Sequence, residues 1–183
     1  MLPAFIGKKK MKFKGYVQVY TGNGKGKTTA ALGQALRALG AGLRVFLGQF
    51  LKKGTYSEIK ALEIFSPRIE IQQFGRGCFI RGKPTEEDFR LAREGFSLCR
   101  EKVLSSLYQL VILDELNLVL HFGLLSIDEA LDLIRNKPAD VELVITGRYA
   151  PQPLIDAADL VTEMREIKHY YQKGVKARVG IEK

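Results

Sequence analysis

The stretch that most limits what this chain can fold into is "TGNGKGKTT", residues 21–29, which follows an apolar run, "YVQVYT" (16–21), and opens a segment, Lys27 to Leu39, with apolar residues at helical spacing. A strand, a glycine-rich turn and a helix in that order make a cradle for phosphates. Successive backbone N–H groups and the helix N-terminus converge on one anion, and glycines let the backbone approach it. The pattern G-x-x-x-x-G-K-[ST] is met at Gly26-Lys27-Thr28, but its first position is Thr21 instead of glycine. Gly22 and Gly24 supply backbone freedom beside the substituted position. The expected phosphate-binding residues are therefore Thr21, Gly22, Asn23, Gly24, Lys25, Gly26, Lys27, Thr28 and Thr29, with Lys27 reaching phosphate oxygens and Thr28 ligating magnesium.

Such a cradle needs a sheet behind it. The rest of the chain alternates short apolar runs with helical patterns, the sign of a parallel sheet covered by helices on both faces. Strands are expected at 16–21, 43–50, 69–74, 110–115, 141–147 and 160–167, and helices at 27–39, 57–65, 85 onward, 126 to about 136, and 153–157. Thr85 with Asp88, and Ser126 with Glu129, read as capping boxes. Phe89, Phe96, Cys99, Val103 and Leu107 mark the expected buried stripe of the helix that Thr85 opens. Val175, Ala177, Val179 and Ile181 alternate as an edge strand would. The expected fold class is α/β: a three-layer P-loop NTPase fold of the RecA-like kind, with a mostly parallel central sheet of about six strands.

Composition narrows the setting. The two cysteines, Cys78 and Cys99, stand 21 positions apart with no CxxC pair, and two histidines are too few for a zinc constellation. A reducing, cytoplasmic location fits, and no run of 18 apolar residues exists to cross a bilayer. The formal net charge is +9, of which five lysines in residues 1–14 supply more than half. Residues 1–14 read as a flexible basic arm, followed by a single domain over 15–183. The modest positive remainder suits an anionic small ligand and does not demand a nucleic acid.

A second motif supports the first. "LVILDE" (110–115) is an apolar strand ending in acids, which P-loop proteins place beside the cradle to hold magnesium directly or through water. Asp114 is the expected metal-side residue; Glu115 is a further metal candidate and, in a hydrolase, would orient an attacking water. Lys27, Thr28 and Glu115 are the candidate catalytic residues. Arg148 follows the strand "VELVITG" at the carboxyl edge, where ligands of open α/β sheets bind, and is placed to pair with a phosphate. These residues imply ATP or GTP held with magnesium. They leave open what is attacked: a phosphotransferase or NTPase would release ADP or GDP, and a nucleotide-switched module would use the basic arm to hold nucleic acid.

"YTGNGKGKTTAALGQALRALGAG", together with "QFLKKG", "VILDEL", "ITGR" and the closing "KHYYQKGVKARVGIE", resembles the ATP:corrinoid adenosyltransferases of the CobA/BtuR type, from about Gly15 to Glu182. The resemblance implies that ATP lies across the P-loop in the reverse sense, with its 5′ carbon presented to cobalt. Co(I) then attacks that carbon and inorganic triphosphate leaves. It further implies ATP, Mg2+ or Mn2+, and a corrinoid such as cobalamin or cobinamide as ligands. An electron-donating flavoprotein partner and a homodimer are implied as well, with neither nucleic acid nor membrane. Relatives often carry a Phe-x-Trp pair after the glycines of the 75–84 loop, pressing on the corrin's lower face. Here Phe79 and Ile80 stand there and supply the expected apolar bulk. Lys168 and His169 match the closing motif, with their part in binding left open.

Overall fold

The computed structural model describes residues 13–77, 80 and 82–182. Most of the basic segment 1–14, and both Cys78 and Phe79, lie outside the described residues. Six strands form one sheet among them: β1 Val17–Thr21, β2 Val45–Phe50, β3 Ile69–Phe74, β4 Leu110–Asp114, β5 Glu142–Thr146 and β6 Leu160–Glu163. Every pairing is parallel, in the order β3-β2-β4-β5-β1-β6. Strand β5 therefore separates the P-loop strand β1 from β4, the strand that ends in Asp114.

The two faces of the sheet follow from strand alternation, which sends successive side chains to opposite sides. On one side Val45, Leu47, Leu110, Ile112 and Val144 pack against α1 (Lys27–Gly40) and α2 (Ser57–Glu63). Ala31, Ala35 and Ala38 give α1 a smooth buried face, so that helix lies close to the sheet. On the other side Phe46, Phe50, Val111, Leu113, Leu143 and Ile145 meet the larger cluster. It is covered by α3 (Glu86–Leu104), α4 (Leu116–His121), α5 (Ile127–Asn136) and α6 (Gln152–Ala157). The expected three-layer α/β architecture is what the chain adopts.

Both capping boxes form: the Thr85 hydroxyl accepts from the Asp88 N–H and the Ser126 hydroxyl from the Glu129 N–H, with each acid returning to the cap residue's own N–H. The stripe of α3 differs from the one expected at its ends. Phe96, Cys99 and Val103 are buried, whereas Phe89 is 36% and Leu107 55% exposed. The helix stops at Leu104, and a left-handed Ser106 (φ 52°) turns Leu107 away. Toward the N-terminus the contact is made by Ala92 and Gly95 instead. A Cβ on Gly95 would lie 2.4 Å from Phe74 Cγ, so the ring of Phe74 rests on bare helix backbone. Small residues at the closest approach carry no hydrophobic signal in a sequence.

Two further expectations are corrected near the C-terminus. Strand β6 ends at Glu163, short of residue 167, because Met164 turns to meet the P-loop. The alternation Val175, Ala177, Val179, Ile181 is not a strand. Left-handed Gly174 (φ 78°) and Gly180 (φ 77°) break extension, and the Glu182 carboxylate gathers Tyr170 Oη and the Arg178 guanidinium into a local knot after a short 3-10 turn, Tyr170–Lys173. The backbone bonds made there are local, from Val175 to Tyr170 O, from Arg178 to the Glu182 carboxylate and from Ile181 and Glu182 to Arg178 O, and none of them is a sheet ladder. Among the described residues, no helix is long and apolar enough to cross a membrane.

Candidate active site

The carboxyl edge of the sheet carries the site, and strand register assembles it. Gln49, Asp114 and Thr146 end or nearly end β2, β4 and β5, all on the α1 side, and all three are 0% exposed. Gln49 is paired directly with Asp114 across the ladder. The N-terminus of α1 sits over this row. Thr28 Oγ1 donates to Asp114 Oδ1 at 2.8 Å, and Thr146 Oγ1 donates to the same oxygen at 2.7 Å. Asp114 Oδ2 accepts from Gln49 Nε2 at 3.1 Å and from Lys52 Nζ at 2.7 Å. Four donors thus hold one buried carboxylate in a single orientation, which satisfies its need for partners away from water.

The loop itself answers why a threonine stands at its first position. Thr21 is still in β1, paired with Glu163 of β6, and the left-handed turn begins one residue later, at Gly22 (φ 93°). The Thr21 hydroxyl accepts from the Ala150 N–H at 3.2 Å, tying the loop's entry to the segment after β5. The far wall of the loop is the chain after β6: Gly24 N–H donates to Met164 O at 2.7 Å, and a Cβ on Gly24 would lie 2.7 Å from that oxygen. Gly26 (φ 119°) then leads into α1, which has neither a side-chain cap nor an acid in its first turn. The positive end of that helix and its unpaired N–H groups are left to a ligand.

Lys27, 7% exposed, folds back so that Nζ donates to the carbonyls of Gly22 and Gly24, each at 2.7 Å. Burial pushes its pKa below the ordinary lysine value, with Arg148 adding to the fall and Glu115 and Asp114 opposing it. Glu115 takes a left-handed backbone (φ 64°), its N–H donating to Thr146 Oγ1 at 3.1 Å. One of its carboxylate oxygens, Oε2, is buried without a hydrogen-bond partner among the described residues. Burial and the neighbouring Asp114 raise the Glu115 pKa, against the pull of Lys52, Lys27 and Arg148. A half-buried carboxylate with one buried, unpartnered oxygen, near a hydroxyl and a second carboxylate, is a set of hard oxygens suited to a small divalent cation that keeps water and phosphate as its other ligands.

Lys27, Thr28, Asp114 and Glu115 therefore converge as expected, and exposed Arg148 is near enough for its charge to act on Lys27 and Glu115. Asn23, Lys25 and Thr29 are exposed on the rim, with Lys25 Nζ donating to Ile181 O at 3.2 Å. Ile80 is half-buried and packs against the larger core cluster. His169 accepts the Tyr171 N–H on Nδ1 at 3.0 Å, a structural cap for the 3-10 turn.

A match over residues 13–182 to the family described as ATP:corrinoid adenosyltransferase BtuR/CobO/CobP decides the lineage. The chain belongs to this family. It is 35% identical over 170 residues to a corrinoid adenosyltransferase of Pseudomonas aeruginosa, covering 92% of this chain and 84% of that one. It is 34% identical over 169 residues to a corrinoid adenosyltransferase of Escherichia coli K12 and to corrinoid adenosyltransferase CobA of Salmonella typhimurium, covering 92% of this chain and 86% of each. Within this adenosyltransferase frame, Gln49, Thr146 and Lys52 are site residues to which the sequence motifs assigned no role. For Gln49 and Thr146 the signal was a polar residue at the last inward position of an otherwise apolar strand, the same signal that marked Asp114; Lys52 lies beyond the end of β2 and carries no such signal.

Proposed function

We propose that the chain transfers the 5′-deoxyadenosyl group of ATP to the Co(I) centre of a corrinoid, cobalamin or cobinamide, and releases inorganic triphosphate. The observation that carries this reading is a family match that spans nearly the whole chain, supported by a glycine turn that leads into the uncapped N-terminus of α1 beside Asp114. In the step itself, the cobalt electron pair forms the bond to carbon as the bond from that carbon to the triphosphate oxygen breaks. Co(I) is a strong nucleophile, so no side chain has to create one, and the protein's work is to place and neutralise.

The loop amides from Gly22 to Thr28, apart from that of Gly24, which Met164 O holds, and the N-terminus of α1 would grip the triphosphate. Lys27, which already lies across the loop interior, would exchange its two carbonyl partners for phosphate oxygens and stabilise the charge that grows on the leaving group. Thr28, Asp114 and Glu115 would hold Mg2+ or Mn2+, which supplies further positive charge to the departing triphosphate. Arg148 would approach from the loop after β5. Phe79 and Ile80 would face the corrin. Residues 15–183 would act as one domain, with the 1–14 arm outside the reaction, in a cytoplasmic homodimer served by a flavoprotein reductant.

The test is to incubate the protein with ATP, Mg2+ and chemically reduced cobalamin, follow the adenosylcobalamin spectrum, and identify the phosphorus product by 31P NMR. Triphosphate in step with alkylated cobalt is expected. Orthophosphate released with turnover, with no carbon–cobalt bond made, overturns the reading in favour of an NTPase.

A further inference from the structure

Lys52 reaches the site by an unusual path. Strand β2 ends at Phe50, and the next residue, Leu51, is left-handed (φ 58°), a conformation that strains a non-glycine backbone. The turn is enforced from below. Leu51 N–H donates to Phe74 O at 2.9 Å, and a Cβ on Gly75 would lie 2.4 Å from Leu51 C and Lys52 N, so only glycine at 75 allows the backbone to pass. The result is that the Lys52 side chain, 21% exposed, doubles back over the carboxyl edge. Its ammonium stands 2.7 Å from Asp114 Oδ2 and 3.4 Å from Thr28 Oγ1.

A purely structural partner for Asp114 is not what this geometry calls for. Three neutral donors, Thr28, Thr146 and Gln49, already hold that carboxylate. The fourth donor is a full positive charge on a flexible stem, set between the hydroxyl and the carboxylate best placed to ligate a divalent cation.

We propose that Lys52 is a tethered cation that occupies the Thr28–Asp114 pair until metal-bound nucleotide arrives, and then moves to the triphosphate as a second phosphate lysine beside Lys27. This rests on reading the loop as a triphosphate cradle. The movement is short, because Thr28 lies in the first turn of the helix whose N-terminus would face the phosphates and the ammonium already lies 3.4 Å from its hydroxyl. Lys52 then competes with a divalent ion that comes alone and cooperates with one that comes bound to phosphate. A single residue would thereby favour the metal–nucleotide complex over free metal.

The experiment uses the whole chain and two probes: free Mn2+, measured by electron paramagnetic resonance, and magnesium tripolyphosphate, measured by calorimetry. Lys52→Met removes the charge and the donor. Lys52→Gln removes the charge but can still donate to Asp114, and so serves if the methionine variant does not fold. Both are expected to bind free Mn2+ about tenfold more tightly and tripolyphosphate about tenfold or more weakly, the size of a lost charge-assisted contact. Opposite signs are the signature. Loss of affinity for both probes, or no change in either, overturns the proposal while leaving the cradle in place. Failure of the wild-type chain to bind tripolyphosphate removes the cradle itself and the proposal with it.

Discussion

Replacing Thr21 by glycine, which restores the usual first residue of the phosphate-loop pattern, should weaken this protein. The hydroxyl that accepts from Ala150 N–H would be lost, worth about 1 kcal/mol net. The side chain is 9% exposed, so its methyl group contributes about 0.8 kcal/mol of burial. Glycine in a strand gives up about 0.5–1 kcal/mol more, because the unfolded chain gains freedom. No relief of strain offsets these losses, since Thr21 keeps strand geometry and pairing with Glu163. The sum is about 2–3 kcal/mol, and at about 2–4 °C per kcal/mol for a chain of this size the melting midpoint should fall by roughly 5–10 °C. Thr21→Val, which keeps the methyl and the strand preference, should lose only about 1 kcal/mol, the hydrogen bond alone. Circular-dichroism melts and urea titrations of the three proteins measure both differences. Tripolyphosphate affinity should stay within about threefold of wild type, because the ligand-facing turn starts at Gly22. A glycine variant that melts at or above the wild-type temperature would refute the reasoning and show that position 21 belongs to the turn.

Two other outcomes are expected. Gly48→Ala would set a Cβ 2.6 Å from Cys99 Sγ and cost about 1–3 kcal/mol by overpacking, whereas Cys99→Ala in the same chain removes the clashing sulfur. The double variant should therefore be more stable than the sum of the single losses by at least about 0.5 kcal/mol in urea unfolding, and strict additivity would contradict the packing. Asp88 is desolvated, which raises its pKa, but hydrogen bonds from Thr85 and the Arg76 guanidinium outweigh that and hold it below the usual carboxylate value. Its contribution is therefore full above the unfolded pKa of about 3.9 and is lost as pH falls through the lower folded value. Asp88→Asn should cost about 1–2 kcal/mol at pH 6 and progressively less below about pH 4, and a penalty that grows in acid would reverse the sign.

Local rules were enough to read the strands, the capping boxes at Thr85 and Ser126, and the pairing of a lysine-threonine cradle with an acid-terminated strand. Each depends on residues close in the chain, where hydrogen-bond geometry and the two- or 3.6-residue period act directly. The short helix Leu116–His121 and the true face of α3 were harder to see. Gly95 matters because a ring from another strand lies against it, and nothing near it in the sequence says so. The C-terminal alternation misled for a similar reason. Glu182, reaching Tyr170 and Arg178, competes with strand pairing and wins through contacts that residue spacing does not reveal.

By itself, then, the order of residues determined that this protein would build a parallel sheet around a phosphate-gripping loop and which family's chemistry that loop serves. Only the folded chain decided that Gln49, Thr146 and Lys52 close around Asp114. Three strands far apart in sequence become neighbours at one edge, and a left-handed Leu51 above a bare Gly75 steers the lysine inward. Such convergence depends on strand order and close backbone approach, which are properties of the assembled sheet.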